Sequence, residues 1–350
     1  MPNKHSSNTE NILVVGPSWV GDMVMAQSLF KALKQQNPTC TIDVIAPGWS
    51  VPVLERMPEV RRGIPLHVGH GEFNLKARYC LGKELRNQYQ RAIILPRSLK
   101  AALVPFFAKI PVRTGFLGEM RYGILNDIRE FNKKHLNQTV KRFTALGSTQ
   151  STAQQTPPIH FPALRIDKDA QLQALNKLQL STTQPAVSLF PGAEYGPAKQ
   201  WPIEHYAELA SALTQDGYQV WIMGSQKDAT VADNIIDQVK TDQSISPINL
   251  CGKTSLAEAI DLIGHCKAAV SNDSGLMHVA AAANCPVIGI YGSSSPDFTP
   301  PLTEKSKVLH LNLDCSPCFE RTCPLQHLDC LYKITPKSVF DALKMLLSEK

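Results

Sequence analysis

Short apolar runs alternate with stretches of helical periodicity along almost the whole chain, and the series occurs twice. In the first half Ile12 to Gly16, Ile42 to Ala46 and Ala92 to Leu95 read as strands. Between them the apolar period changes to that of a helix from Met23 to Leu33, and Ala101 to Ile110 reads as a short apolar helix. After residue 160 the pattern restarts. Val187 to Phe190, Val220 to Met223, Ile248 to Cys251, Ala268 to Ser271 and Val287 to Tyr291 read as strands, with helical patterns at 203–215, 229–240, 255–265 and 275–284, and a last one at about 336–348. Strands buried on both faces read as continuous apolar runs, and parallel neighbours need a crossover between them. The expected fold is therefore α/β, with two Rossmann-like doubly wound domains facing a cleft. Gly147 to His160, rich in Ser, Thr, Gln and Pro, reads as the linker. It separates an N-terminal domain, 1–160, from a C-terminal domain, 161–350. A chain of 350 residues is also long for one core.

Charge is distributed unevenly between these halves. Residues 1–160 carry 21 Lys and Arg against 10 Asp and Glu, whereas 161–350 carry 15 against 20. The basic half is expected to meet a polyanion such as a phosphorylated glycolipid, an anionic membrane surface or nucleic acid. No basic helix or interleaved aromatic platform supports the last, so no nucleic-acid partner is expected. No apolar run approaches the roughly 18 to 20 residues that span a bilayer, and the polar start MPNKHSSNTE lacks the apolar centre of a signal peptide. The chain is expected in the cytoplasm with reduced thiols. Cys40, Cys80, Cys251, Cys266 and Cys285 then read as small buried hydrophobes.

Three strand-to-helix turns carry chemistry. The first, Gly16-Pro-Ser-Trp-Val-Gly-Asp22, has neither the glycine spacing of a dinucleotide fold nor a P-loop lysine. It offers Asp22 at the mouth of a helix, which fits a general base and equally a carboxylate that complements the helix end. The second, Phe190-Pro-Gly-Ala-Glu-Tyr-Gly-Pro-Ala-Lys199-Gln-Trp-Pro202, places one cation among backbone amides, either to hold phosphate oxygens or as a surface lysine. The third, Ser271-Asn-Asp273-Ser274-Gly275-Leu-Met277-His278, runs from a strand into an Ala-rich helix whose first amides make an anion site. Asp273 would repel phosphate and is expected to accept from donor hydroxyls. His278 fits the cleft face of that helix or a hydrogen-bonded core position. Asp167-Lys168-Asp169 precedes a helical stretch and is expected to supply carboxylates to its start rather than to bind a metal. Cys315-x2-Cys318-x4-Cys323-x6-Cys330 could hold zinc or an iron-sulfur cluster. The spacing departs from paired CxxC sites, and a reduced, packed thiol cluster is the favoured reading.

Together the segments VGPSWVGDMVMAQ, FPGAEYGPAKQWP and NDSGLMHVAAA and the terminal cysteine segment resemble the bacterial ADP-heptose lipopolysaccharide heptosyltransferases of glycosyltransferase family 9. That resemblance covers nearly the whole chain. It implies a GT-B fold and inverting displacement, with Asp22 as catalytic base and Lys199 holding the departing diphosphate. The donor site implied comprises Gly192, Ser225, Asp273, Ser274, Gly275, Met277 and His278; Gly224 to Asp228 resembles the ribose-side loop, with the ribose contact left open. ADP-heptose would be the donor, lipid-linked lipopolysaccharide inner core the acceptor, and the inner membrane a peripheral contact, without cofactor or metal. Arg61, Arg62, Arg97, Arg113 and Arg121 are the candidate acceptor contacts, since guanidinium grips planar anions. A sugar-nucleotide epimerase on the same two-domain plan is the nearest rival, and it would need no basic acceptor surface.

Overall fold

The computed structural model describes residues 9–69, 71–148, 157–240 and 246–349; most of the expected linker, 149–156, and the first eight residues lie outside them. The chain divides into two compact units, Met1–Phe161 and Pro162–Lys350.

In the first unit β1 (Asn11–Val15), β2 (Thr41–Ala46), β3 (Arg62–Pro65), β4 (Arg91–Ile94), β5 (Val112–Phe116) and β6 (Asp127–Arg129) form one sheet in the order β3-β2-β1-β4-β5-β6. Every pairing is parallel. Ile12 to Val15 are buried on both faces because helices cover the sheet, which is why β1 reads as an unbroken apolar run. Leu13 and Val15 share a core with Ile45, Ile94 and Ala102.

The second unit repeats the winding. Strands β7 (Ala186–Phe190), β8 (Gln219–Ile222), β9 (Ile248–Asn249), β10 (Ala268–Asn272), β11 (Val287–Ile290) and β12 (Ser306–Leu309) lie in the order β12-β11-β10-β7-β8-β9, all parallel. Counted from its own first strand, this is the order of the first sheet read from the other edge. Each sheet therefore has one place where strand order reverses, between β1 and β4 and between β7 and β10. Loops leaving adjacent strands there diverge to opposite faces, and ligands of such sheets bind in the crevice beyond the carboxyl ends. Helix α12 (Pro336–Ser348) belongs to this unit: Val339 and Leu343 share a core with Leu209 and Leu213 of α7 (Ile203–Gln215).

Several elements differ from the sequence reading. Strands β3, β5, β6 and β12 escape it because they are short or sit toward sheet edges, where charge and partial exposure break the apolar run; β3 buries only Ile64. Helix α1 (Val20–Gln36) starts three residues before Met23, which brings Asp22 into its first turn. Asp167 caps α6 (Lys168–Lys177), accepting from the amides of Asp169 at 3.1 Å and Ala170 at 3.0 Å. Cys80 corrects one expectation: it is exposed, on the outer side of α3 (Leu75–Glu84), whereas Cys40, Cys251, Cys266 and Cys285 are buried.

Candidate functional site

At the reversal point of the second sheet β7 ends in Phe190 beside Ser271 of β10. The next residue, Asn272, is fully buried and fixes both loops. Its Nδ2 donates to the Pro191 carbonyl at 2.7 Å, and its Oδ1 accepts from the Trp201 amide and the Tyr206 hydroxyl, each at 3.0 Å. Trp201 is locked in turn by its indole N–H on the Ile334 carbonyl at 2.8 Å and by an edge-on contact with Tyr206. The loop between these anchors turns through Pro197–Lys199 and delivers Lys199 Nζ to Asp273 Oδ2 at 2.5 Å. This ion pair is little exposed, at 17% for the lysine side chain and 6% for the carboxylate. Thr299 Oγ1 approaches the other carboxylate oxygen at 3.4 Å.

Helix α10 (Gly275–Ala282) opens directly after Asp273. Ser274 occupies its N-cap position without a side-chain capping bond, its hydroxyl lying 3.1 Å from that of Ser271. The helix start thus presents backbone donors in a positive dipole end beside Lys199. His278 is buried one turn further on. Burial, with Lys199 adding and Asp273 opposing, depresses its pKa to about 4, so the ring is neutral at pH 7. Met277 lies in the core beneath this site, its sulfur receiving the Tyr291 hydroxyl at 3.5 Å; the same hydroxyl holds the Thr299 carbonyl at 2.6 Å. Two glycines bring the neighbouring loops together. A Cβ on Gly192 would lie 2.7 Å from Asp228 Oδ1, and one on Gly224 would lie 2.8 Å from Asp228 Oδ2. The Asp228 carboxylate accepts from the Ser225 amide and hydroxyl, both at 2.8 Å, so the Ser225 side chain is engaged in holding its own loop.

In the first unit Asp22 stands third in α1, behind Trp19 at the N-cap, at the carboxyl edge of β1 beside the reversal point. The turn before it requires Gly16: a Cβ there would press on the Met23 side chain at 2.5 Å and the Ile45 carbonyl at 3.2 Å. The five arginines do not gather at this edge. Arg61 and Arg62 sit where β3 begins, at the opposite end, and both grip buried Asp43 of β2, Arg61 with Nε and Nη2 at 2.8 and 2.6 Å and Arg62 with Nε at 2.8 Å. Burial alone would raise the Asp43 pKa, but bonds from Arg61, Tyr89 and Arg62 overcome it and hold the carboxyl below its usual range. Arg113, near the start of β5, donates to the carbonyls of Ile124 and Ile110, each at 2.6 Å. Arg121 is fully buried and donates to the carbonyls of Pro96, Ser98 and Phe116, tying together the loops after β4 and β5. Arg97 alone of the five is exposed beyond the carboxyl end of β4, with Nη2 on the Leu117 carbonyl at 3.1 Å and its guanidinium over Phe131.

The family model for glycosyltransferase family 9 (heptosyltransferase) matches residues 78–329. The chain belongs to glycosyltransferase family 9. It is 46% identical over 344 residues to lipopolysaccharide heptosyltransferase 2 of Escherichia coli K12, covering 97% of this chain and 99% of that one. It is 48% identical over 307 residues to lipooligosaccharide heptosyltransferase 2 of Haemophilus influenzae, covering 86% and 88%. The solved structure of the E. coli ADP-heptose lipopolysaccharide heptosyltransferase II superposes with a TM-score of 0.85 at 44% identity, covering 96% of this chain and 98% of that one. The two parallel sheets with flanking helices are accordingly a GT-B-like fold, and the chain is a glycosyltransferase.

The geometry joins Lys199, Asp273, Ser274, Gly275 and His278 into one group, with Gly192 and Ser225 on the adjoining loops. Sequence reasoning passed over Asn272, Asp228 and Thr299. Asn272 and Asp228 lie inside segments that had been singled out, and a polar side chain at the end of a buried strand was the available signal for Asn272. Thr299, 26 residues from Asp273, had no local signal.

Proposed function

We propose that this glycosyltransferase transfers L-glycero-D-manno-heptose from ADP-heptose to the inner-core heptose of lipopolysaccharide, with inversion at the anomeric carbon. The reading is carried by identity that runs nearly end to end with heptosyltransferase 2 of E. coli. The Lys199–Asp273–His278 group at the reversal point of the second sheet supports it chemically.

In this scheme residues 161–350 hold the donor and residues 1–160 the acceptor. The acceptor hydroxyl attacks the anomeric carbon, its proton passes to the Asp22 carboxylate, and the bond from that carbon to the β-phosphate oxygen breaks with its electron pair leaving on ADP. General-base assistance of this kind contributes about 10² to 10⁴ in rate. The departing charge falls to Lys199 and the first amides of α10, donors fixed in place before the reaction and therefore free of reorganisation cost. Neutral His278 adds no charge of its own and keeps its ring nitrogens for hydrogen bonding to the donor.

Arg97 is the acceptor-side cation in this proposal. At the same sheet edge, beyond the carboxyl ends of β1, β2 and β5, stand exposed Trp19, Trp49, Met120 and Tyr122. Exposed apolar side chains on the edge that carries this cation suit a lipid-linked anionic acceptor and support peripheral contact with the cytoplasmic face of the inner membrane. Among the described residues no helix is long and apolar enough to cross a membrane. The test is a thermal-shift comparison of the purified protein with ADP, ADP-heptose, UDP and a UDP-sugar. The adenine nucleotides should raise the melting temperature in proportion to the logarithm of concentration. A UDP-sugar that stabilises as well as ADP-heptose would contradict the proposed donor.

A further inference from the structure

The cysteine segment takes no part in the steps above, yet it is built into the turn that carries Lys199. The Ala198 amide donates to the Arg321 carbonyl at 3.0 Å, and the Tyr195 hydroxyl donates to the Phe319 carbonyl at 2.6 Å. Gly196 passes so close that a Cβ would lie 2.5 Å from the Arg321 carbonyl oxygen, and its φ of +155° is itself one that side-chain-bearing residues rarely adopt. Phe319 is held in turn by its amide on the Ser293 carbonyl at 2.7 Å. Cys315, Cys318, Cys323 and Cys330 line one small cavity together with Ser293 and with Ala198 of the Lys199 turn. The cysteine loop is thus a buttress whose central residues, 319–321, are pinned to the Lys199 turn.

That buttress presents a cation. The Arg321 side chain is exposed, and its guanidinium carbon lies 5.2 Å from the centre of the Tyr195 ring; Lys199 Nζ lies 5.1 Å from the same centre. Two positive charges therefore converge on one aromatic ring beside the glycine-rich loop. They differ in what already neutralises them. Lys199 is paired with Asp273, so the pair offers no net charge to an incoming polyanion, while Arg321 forms no ion pair among the described residues. A diphosphate needs net positive charge to offset the water it gives up, and guanidinium can bind two of its oxygens at once.

We propose that Arg321, presented by the cysteine loop, is a second binding cation for the diphosphate of the donor, complementing Lys199. This rests on the donor-site reading given above. Calorimetric titration of the full chain with ADP and with adenosine, for wild type and for Arg321→Lys, Arg321→Gln and Arg321→Glu, tests it. Loss of a charge-assisted contact should weaken ADP binding roughly tenfold to 150-fold in Arg321→Gln, less in Arg321→Lys and more in Arg321→Glu. Adenosine affinity should stay constant across the series, and the salt dependence of ADP binding should flatten in Arg321→Gln. Unchanged ADP affinity in Arg321→Gln would overturn the proposal, as would equal loss of ADP and adenosine, which would signal a damaged loop. A wild type that fails to bind ADP would instead overturn the donor-site reading itself, and this proposal with it.

Discussion

Replacing Lys199 by Met separates its two roles. The substitution keeps most of the apolar stem and removes the cation, leaving Asp273, 6% exposed, with only the 3.4 Å approach of Thr299 as a remaining side-chain partner among the described residues. Removing one partner of a buried pair costs about 3 to 5 kcal/mol, because the other charge stays uncompensated. The lysine side chain is itself 17% exposed, so water reaches the pair and the lower end, about 3 kcal/mol, applies. Unfolding of this unit can be followed by fluorescence of Trp201 and Trp221, both fully buried in it. Lost stabilisation of the departing diphosphate should separately lower kcat by about 10² to 10³. The double variant Lys199→Met with Asp273→Asn restores a neutral pair. It should regain most of the stability and little of the turnover. Recovery of turnover together with stability would mean that Lys199 acts only by neutralising Asp273 and does not stabilise the departing diphosphate.

Asp22→Asn should lower turnover at saturating donor and acceptor by about 10² to 10⁴, whereas a helix-end role alone predicts near-normal turnover and a stability loss of about 0.3 to 1 kcal/mol. Asp43→Asn should destabilise the first unit by about 1 to 3 kcal/mol in denaturant titration, because Arg61 and Arg62 lose their shared carboxylate while remaining half exposed to water; the affinity for ADP should not change. His278 predicts a pH dependence. Its folded pKa of about 4 lies below the ordinary 6.5, so the unfolded chain binds the proton first and stability is full above pH 6.5 and falls as pH drops toward 4. His278→Gln should flatten that part of the stability profile, and an unchanged profile would show that other groups produce it.

Much of the fold was legible because both sheets are parallel and covered, which makes β1, β4 and β11 apolar runs and leaves β2, β7 and β10 with only one or two polar residues each. Of the four edge strands β9 was read, but β3, β6 and β12 were not; β12, with the sequence Ser-Lys-Val-Leu, lies partly exposed and lacks that signature. The grouping of Lys199, Asp273 and His278 was legible because they lie on two contiguous segments that end adjacent strands. The arginines show the limit of such reading. Arg97 and Arg121 both follow a strand at the same sheet edge, but Arg121 folds inward onto three carbonyls and Arg97 outward over Phe131. Local sequence carries the charge of an arginine, not the carbonyl cage that surrounds it, because Pro96 and Ser98 reach Arg121 from more than twenty residues away. Asp43 likewise gave no sign in the sequence that it would bind Arg61 and Arg62, being a lone carboxylate in an apolar strand.

Heptosyl transfer itself is read out by mass spectrometry of the acceptor. Purified protein is incubated with ADP-heptose and an inner-core acceptor that bears one heptose, with a heptose-free acceptor in parallel. The first acceptor should gain one heptosyl unit of inverted anomeric configuration, with ADP released in equal amount, while the second gains none. Consumption of ADP-heptose without any gain by the acceptor, or a product that retains the donor's configuration, would contradict the account.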